Sequence, residues 1–302
     1  MTSPLFPVAL ALVAVAMGSL LDAGVKLIAA QGLSVLAILF WRFLISGIVI
    51  GAAFRLLRQP GLSARILQFH ALRGLVHATM AGLFFYGITQ IPLAEATTLG
   101  FTAVLMAGPL ERLFLGQPLR ARTVWAALIG FSGVLVIALR GEPAAAETGN
   151  VIVGRLSCLA SAFLYALSLI MLRARAKADG TFAIAMLSNI IPACWLAIPT
   201  LALTPLPAWE DFPGLAAISV VGSAVWVLMT MAYARAPAQR LAPLEYSSLL
   251  WSALFGWILF GEMLGPTLWF GAGLIVAGCL LTVLPDRRAL PPAPPIAGPP
   301  VP

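Results

Sequence analysis

Ten apolar stretches of roughly twenty residues each, separated by short polar breaks, leave this chain few choices of fold. An α-helix of about 20 apolar residues crosses the hydrocarbon of a bilayer. It satisfies its own backbone hydrogen bonds there, which an isolated strand does not. The stretches are 6–29, 34–54, 71–90, 93–114, 122–139, 151–172, 182–203, 213–234, 241–260 and 266–284. Alternating polar and apolar positions are missing, which argues against a β-barrel. Composition agrees with helices in lipid. Of 302 residues, 61% are hydrophobic and 10% charged, against about 45–50% and about 25% in a soluble domain. The expectation is an all-α integral membrane protein with ten transmembrane helices.

The lysines and arginines set the orientation. With the N-terminus inside, nearly all of them fall in or beside inner loops, from Arg55, Arg58, Arg65 and Arg73 to Arg287 and Arg288. Only Arg140 and Arg155 fall outside, and Lys26 and Arg42 lie within spans. Cytoplasmic loops attract such an excess, so both termini are expected in the cytoplasm. The net charge of +7 is scattered between apolar runs, so no nucleic-acid partner is expected. The N-terminus lacks the basic segment of a cleaved signal and should remain as the first span. The three cysteines lie in apolar runs without metal-ligand spacing.

The chain also repeats itself. A shift of 145 positions lays "FLGQPLRARTVWAALIGFSGVL" over "LFGEMLGPTLWFGAGLIVAGCL", with Gly116 on Gly261 and Gly133 on Gly278. Five spans per half is an odd number, so the second half enters the membrane from the opposite side. Two inverted five-helix repeats are expected, 1–140 and 141–285, an arrangement that recurs in secondary transporters. The remaining 286–302, "DRRALPPAPPIAGPPVP", reads as a disordered Pro-rich cytoplasmic tail.

The ordered set "ILFWRFLISGIVIG", "RGLVHATMAGLFFYGITQIPLAEATTLGFTAVL" and the "FLGQ"/"LFGE" segments resembles the EamA-type drug/metabolite transporter superfamily. The resemblance covers about 10–285. It implies a central cavity lined mainly by spans 3, 4, 8 and 9, and small-molecule transport without ATP. Only the second half keeps the family's Gly-Glu, as Gly261-Glu262; the first has Gly116-Gln117.

Charges in a bilayer core are costly and usually functional or paired. Asp22 and Lys26, four apart in the first span, share a helix face with the acid first, the favourable order for an ion pair. They read as a pair satisfied by each other or by Arg42, or as a seat for proton coupling. Arg42, after Trp41, reads as a salt-bridge partner for Asp22 or as an anchor for a substrate carboxylate. His77 is either a packing residue or a proton-sensitive cavity group. Phe84, Phe85 and Tyr86 line a cavity or face lipid. Glu95 with Thr97 and Thr98, and Glu245 with Tyr246, Ser247 and Ser248, place polar groups toward a cavity or serve helix starts. Asn189 meets backbone freed by Pro192 or a ligand. Trp226 and Tyr233 are cavity-wall or interface aromatics. Small residues at Gly74, Ala78 and Gly82, and at Ala126/Gly130 and Gly273/Ala277, permit close helix contacts.

Three function classes compete. A secondary transporter fits the repeat, the charge inversion and the sparse polar groups. An integral-membrane lipid-modifying enzyme calls for clustered acids or a His-acid pair, and the eleven acids do not cluster. A non-transporting receptor or scaffold needs no repeat. No GxxxxGK[ST] loop is present, so ATP is not the driver. The resemblance implies an exporter of amino-acid-like or other zwitterionic metabolites, with uptake of a vitamin or nucleoside-like cofactor as the alternative. The expected partners are the substrate, the lipid bilayer and protons. No cofactor or metal is called for, the chain is expected as a monomer or weak homo-oligomer, and its place is a bacterial inner membrane.

Overall fold

The first two apolar runs fold into an antiparallel hairpin. α1 (Phe6–Ala30) ends where Gly32 takes φ 103°, a left-handed conformation open to glycine, and Ser34 then caps α2 (Val35–Leu56) by accepting the Ala37 N–H at 3.2 Å. The computed structural model describes residues 5–56, 64–115, 121–140, 150–179, 181–233, 235 and 242–283. The described residues form helices and no strand. After the hairpin come α3 (Ala64–Gln90), α4 (Leu93–Gly100), α5 (Thr102–Leu115), α6 (Ala121–Arg140), α7 (Val151–Asp179), α8 (Thr181–Leu203), α9 (Phe212–Tyr233), α10 (Ser248–Phe260) and α11 (Pro266–Val283). The Pro-rich tail, the Gly116-Gln117 pair and the Tyr233 side chain lie outside the described residues.

Among the described residues, six helices are long and apolar enough to cross a membrane: Phe6–Ala30, Val35–Leu56, Ile66–Gln90, Val151–Met171, Ala183–Leu203 and Trp209–Met229. Four shorter apolar helices stand at Leu93–Met106, Ala127–Ile137, Leu244–Phe260 and Pro266–Gly278. The chain is an integral membrane protein that crosses the bilayer several times. Large apolar side chains such as Ile48, Leu128, Ile152, Ile198, Trp257 and Phe270 lie on the outside, where lipid covers them.

Two expected spans differ in detail. The fourth is broken at Phe101 into α4 and α5. The hydroxyls of Thr97, Thr98 and Thr102 donate to the carbonyls of Leu93, Ala94 and Leu99 at 2.9, 2.7 and 2.7 Å. Such back-bonding competes with the helical ladder and bends it. The ninth begins as a 3₁₀ turn, Ala242–Ser247, so Glu245, Tyr246 and Ser247 stand before α10 rather than inside a regular helix. By contrast α8 runs unbroken through Pro192 and Pro199.

Packing follows the small residues. α1 lies on α9, α3 on α7, α2 against α8 and α6 against α11. A Cβ on Gly133 would meet the Gly271 carbonyl of α11 at 2.5 Å, and one on Gly154 of α7 would meet Gln90 and Ile91 at 2.8 Å. Gly74 fits against Ile191 and Pro192 of α8, as its spacing predicts. Gly273 corrects the expectation of a contact glycine: nothing lies within 4 Å of its would-be Cβ, and Gly271 makes the contact instead. In lipid the hydrophobic effect does not drive helices together, so this backbone approach is a principal source of cohesion.

Candidate substrate site

Asp22 and Lys26 do not pair with each other, contrary to the spacing argument. Lys26 reaches across to Glu262, Nζ to Oε1 at 2.6 Å, and also donates to the Ile91 carbonyl at 2.8 Å. The second Glu262 oxygen accepts the Leu93 N–H at 2.8 Å, one of the free donors at the start of α4. Local backbone explains how a loop residue reaches so far. Gly261 takes φ 66° at the end of α10, and the Glu262 N–H bonds the Gly256 carbonyl at 3.1 Å. The carboxylate folds back over Gly256, where any side chain would strike it. One carboxylate therefore ties together α1, the turn between α3 and α4, and the loop between α10 and α11. Glu262 is not among the site residues expected from the sequence; the Gly261-Glu262 pair, kept only in the second half, is the signal that points to it.

Asp22 lies one turn deeper than Lys26 and faces a different charge. Its carboxylate makes no hydrogen bond or ion pair among the described residues, and the charge acting on it is Arg42. Arg42 is 8% exposed, yet its Nε has no hydrogen-bond partner. The guanidinium lies over the Phe43 ring at 4.1 Å and near the Phe85 ring at 5.5 Å, contacts that stabilise a cation through the ring faces. It reaches α9 at Gly222, where an added Cβ would stand 3.5 Å from Nη1. Arg42 and Asp22 thus act on each other at the meeting of α1, α2, α3 and α9 without direct contact.

His77 sets its ring edge-on to Phe43 at 5.6 Å and feels the charges of both Arg42 and Arg73. Asn189 is buried and donates to its own helix at the Ala185 carbonyl, 2.9 Å away. One turn from Asp22, Ser19 joins Ser252 and Thr97 in a chain of hydroxyls, with the Ser252 Oγ 2.8 Å from a Thr97 oxygen whose own proton goes to the Leu93 carbonyl. Polar groups of α1, α2 and α3 thus meet around Asp22, Arg42 and His77, and hydroxyls of α1, α4 and α10 meet one turn away.

The remaining candidates stand around this centre. Glu95 is buried and ion-paired with Arg155 of α7 at 2.6 Å. Trp41 turns toward the start of α9, edge-on to Phe212 at 5.2 Å. Tyr246 stands edge-on to Phe101 at 5.3 Å, and Ser247 donates to the Leu244 carbonyl at 2.6 Å. Glu245 is exposed and within electrostatic reach of Tyr165. Trp226 is 45% exposed.

A cavity of about 800 Å³ opens at the Lys26 end. Its walls include Lys26, Glu262, Tyr86, Thr89, Gln90 and Ser34. Tyr86 follows Phe85, which touches the Arg42 cation, and Lys26 lies one turn from Asp22. The cavity thus ends at the Lys26–Glu262 ion pair, one helical turn along α1 from Asp22.

Comparison with known proteins places this architecture. The model of the EamA-like transporter family matches residues 5–139 and again 152–284. An uncharacterized transporter of Helicobacter pylori is 31% identical over 208 residues, 67% of this chain and 68% of that protein. The pseudopaline exporter CntI of Pseudomonas aeruginosa is 29% identical over 256 residues, covering 80% and 84%. A riboflavin transporter of Brucella anthropi is 25% identical over 264 residues, covering 84% and 90%. A solved crystal structure shares the fold at a TM-score of 0.60 and 21% identity, over 90% of this chain and 96% of its own. With two matched stretches filling nearly all of an all-helical membrane body, the chain belongs to the EamA-like transporter family, within the drug/metabolite transporter superfamily.

Proposed function

We propose that the protein is a ten-span secondary transporter that exports a small zwitterionic metabolite across a bacterial inner membrane by alternating access. The observation that carries this reading is the Asp22–Arg42 arrangement: a half-buried carboxylate and a buried guanidinium that act on each other without direct contact, the guanidinium with an unpartnered Nε. An uncompensated charge in such surroundings is costly. A molecule bearing an ammonium for Asp22 and a carboxylate for Arg42 relieves both, the carboxylate through the planar guanidinium fork. Asp22 is also the group that would exchange a proton in coupled transport.

The halves 1–140 and 141–285 provide the motion. Shifting by 145 positions carries α1 to α7, α2 to α8, α3 to α9 and α6 to α11. The contacts α1–α9 and α3–α7 exchange under that shift, while α2–α8 and α6–α11 map onto themselves. This exchange supports an inverted repeat whose halves rock about a midplane site. The Arg-rich end then faces the cytoplasm and the Lys26 end faces outward. The name of the Pseudomonas relative supports export. The riboflavin relative supports a second reading, uptake of a vitamin or nucleoside-like cofactor.

The test compares metabolites in cells and medium with the protein overproduced, absent, or carrying Asp22→Asn or Arg42→Gln. A zwitterion enriched in the medium only with the wild type is the expected result, with each variant lowering that enrichment at least about tenfold, the size of a lost charge-assisted contact. Enrichment inside the cell would reverse the direction. Full activity in both variants would remove these residues from the site.

A further inference from the structure

The buried charges do not balance. Lys26 is neutralised by Glu262, and Arg155 by Glu95. Within the described helices this leaves two buried guanidiniums without an ion-pair partner, Arg42, which acts on Asp22, and Arg73. The sequence assigns Arg73 to the basic flank of an inner loop. The structure instead buries it to 3% exposure, so it does not snorkel to a polar surface. Nη1 and Nη2 both donate to Ser188 Oγ of α8, at 3.0 and 2.9 Å. Ser188 donates its own proton to the Ile184 carbonyl, so it offers no negative charge. The Arg73 Nε is buried without a partner, and no carboxylate pairs with this guanidinium among the described residues.

Arg73 is also held in place. Trp195 of α8 donates to the Ala71 carbonyl at 3.0 Å, and Gly74 is pressed against Ile191. One turn on, at i+4, His77 feels the charges of both Arg73 and Arg42. Arg73 of α3 and Arg42 of α2 thus both act on His77, and among the described residues no carboxylate pairs with either guanidinium.

We propose that Arg73 is a second anion anchor on the same substrate path, and that the transported molecule carries at least two acidic groups, carboxylate or phosphate, for each ammonium. This rests on the transport reading above. The first acid meets Arg42, the ammonium meets Asp22, and the second acid meets the unpartnered edge of Arg73. A guanidinium suits either acid through paired N–H donors.

The test uses the full chain in cells, with the cell's own metabolites as the probe, separated by mass and charge. Cells make the wild type, Arg73→Gln, Arg73→Lys or no protein, and membrane yield is measured for each. The wild type is expected to redistribute a compound with two or more acidic groups, whose mass separates carboxylates from phosphates. Arg73→Gln should lower that movement about tenfold or more, a larger loss than it causes for any single-acid zwitterion. Arg73→Lys, which keeps the charge but not the fork, should retain it within about tenfold. Should Arg73→Gln fail to reach the membrane, Ser188→Ala decides, because it frees the guanidinium from its one tether. A change in the preference for acid count supports the assignment, and no change overturns it. A wild type that moves only single-acid compounds, or an Arg73→Gln variant that moves the same set, overturns the assignment and leaves transport standing. A wild type that redistributes nothing removes the transport reading, and this assignment with it.

Discussion

Removing the Glu262 carboxylate would leave the Lys26 ammonium with one backbone carbonyl and no counter-charge, at 14% side-chain exposure. Breaking a buried pair by deleting one partner costs about 3–5 kcal/mol. Glu262→Gln should therefore lower the melting temperature of the purified protein clearly, and Lys26→Met combined with it should cost less than the two changes added. Simple additivity would mean that the pair is not coupled. Asp22→Asn should behave differently, because Asp22 has no hydrogen bond to lose. Its melting temperature should shift less than that of Glu262→Gln while transport falls, and a loss as large as that of Glu262→Gln would recast Asp22 as structural. The sequence made Asp22 and Lys26 neighbours because a spacing of four sees only one helix. It could not see Glu262, 236 positions away, which reaches Lys26 only through the turn at Gly261. Arg42 was legible as a buried cation in need of an acid. Arg73 was not, because its burial comes from α8 and leaves no mark in its own segment.

Among the helices, closeness at glycine separates cohesion from mere composition. Gly133 and Gly271 bring α6 and α11 into backbone contact, and the nearest obstacle to a Cβ on Gly133 is the Gly271 carbonyl, which cannot rotate away. Gly133→Val should destabilise the fold by about 1–3 kcal/mol, the range for overpacking. Gly18 lies within α1 with nothing inside 4 Å of its would-be Cβ, so Gly18→Ala should be neutral or stabilise by up to about 1 kcal/mol. Melting curves in one detergent decide the contrast; equal losses would mean that helix propensity, not contact, governs both sites. The sequence pattern supplied the long helices well because apolar length is a local property. It missed the break at Phe101 because three threonines back-bonding to carbonyls look like any polar helix start. It also chose Gly273 over Gly271, since a four-residue rhythm does not say which face meets a neighbour.

At the scale of the whole molecule, the alternating access proposed above requires two arrangements of the contacts between 1–140 and 141–285. α2 meets α8 and α6 meets α11 across the halves, while α1 and α3 rest on helices of the other half. Thr89 stands in the wall of the cavity at the Lys26 end. Ser46, one turn beyond Arg42 toward the Arg-rich end, is 2% exposed and donates to the Ser219 carbonyl of α9 at 3.1 Å. If the halves rock about Asp22 and Arg42, these positions open in turn. In a background lacking the native cysteines, Thr89→Cys should react with an impermeant maleimide added outside intact cells. Ser46→Cys should react only from the cytoplasmic side, in inside-out vesicles. Conditions that raise one rate should lower the other, because a single motion closes the first position as it opens the second. Thr89→Cys reacting only from the cytoplasmic side would reverse the orientation drawn from the arginines. Both positions reacting freely under the same conditions would describe an open pore, which neither needs nor supports alternating access.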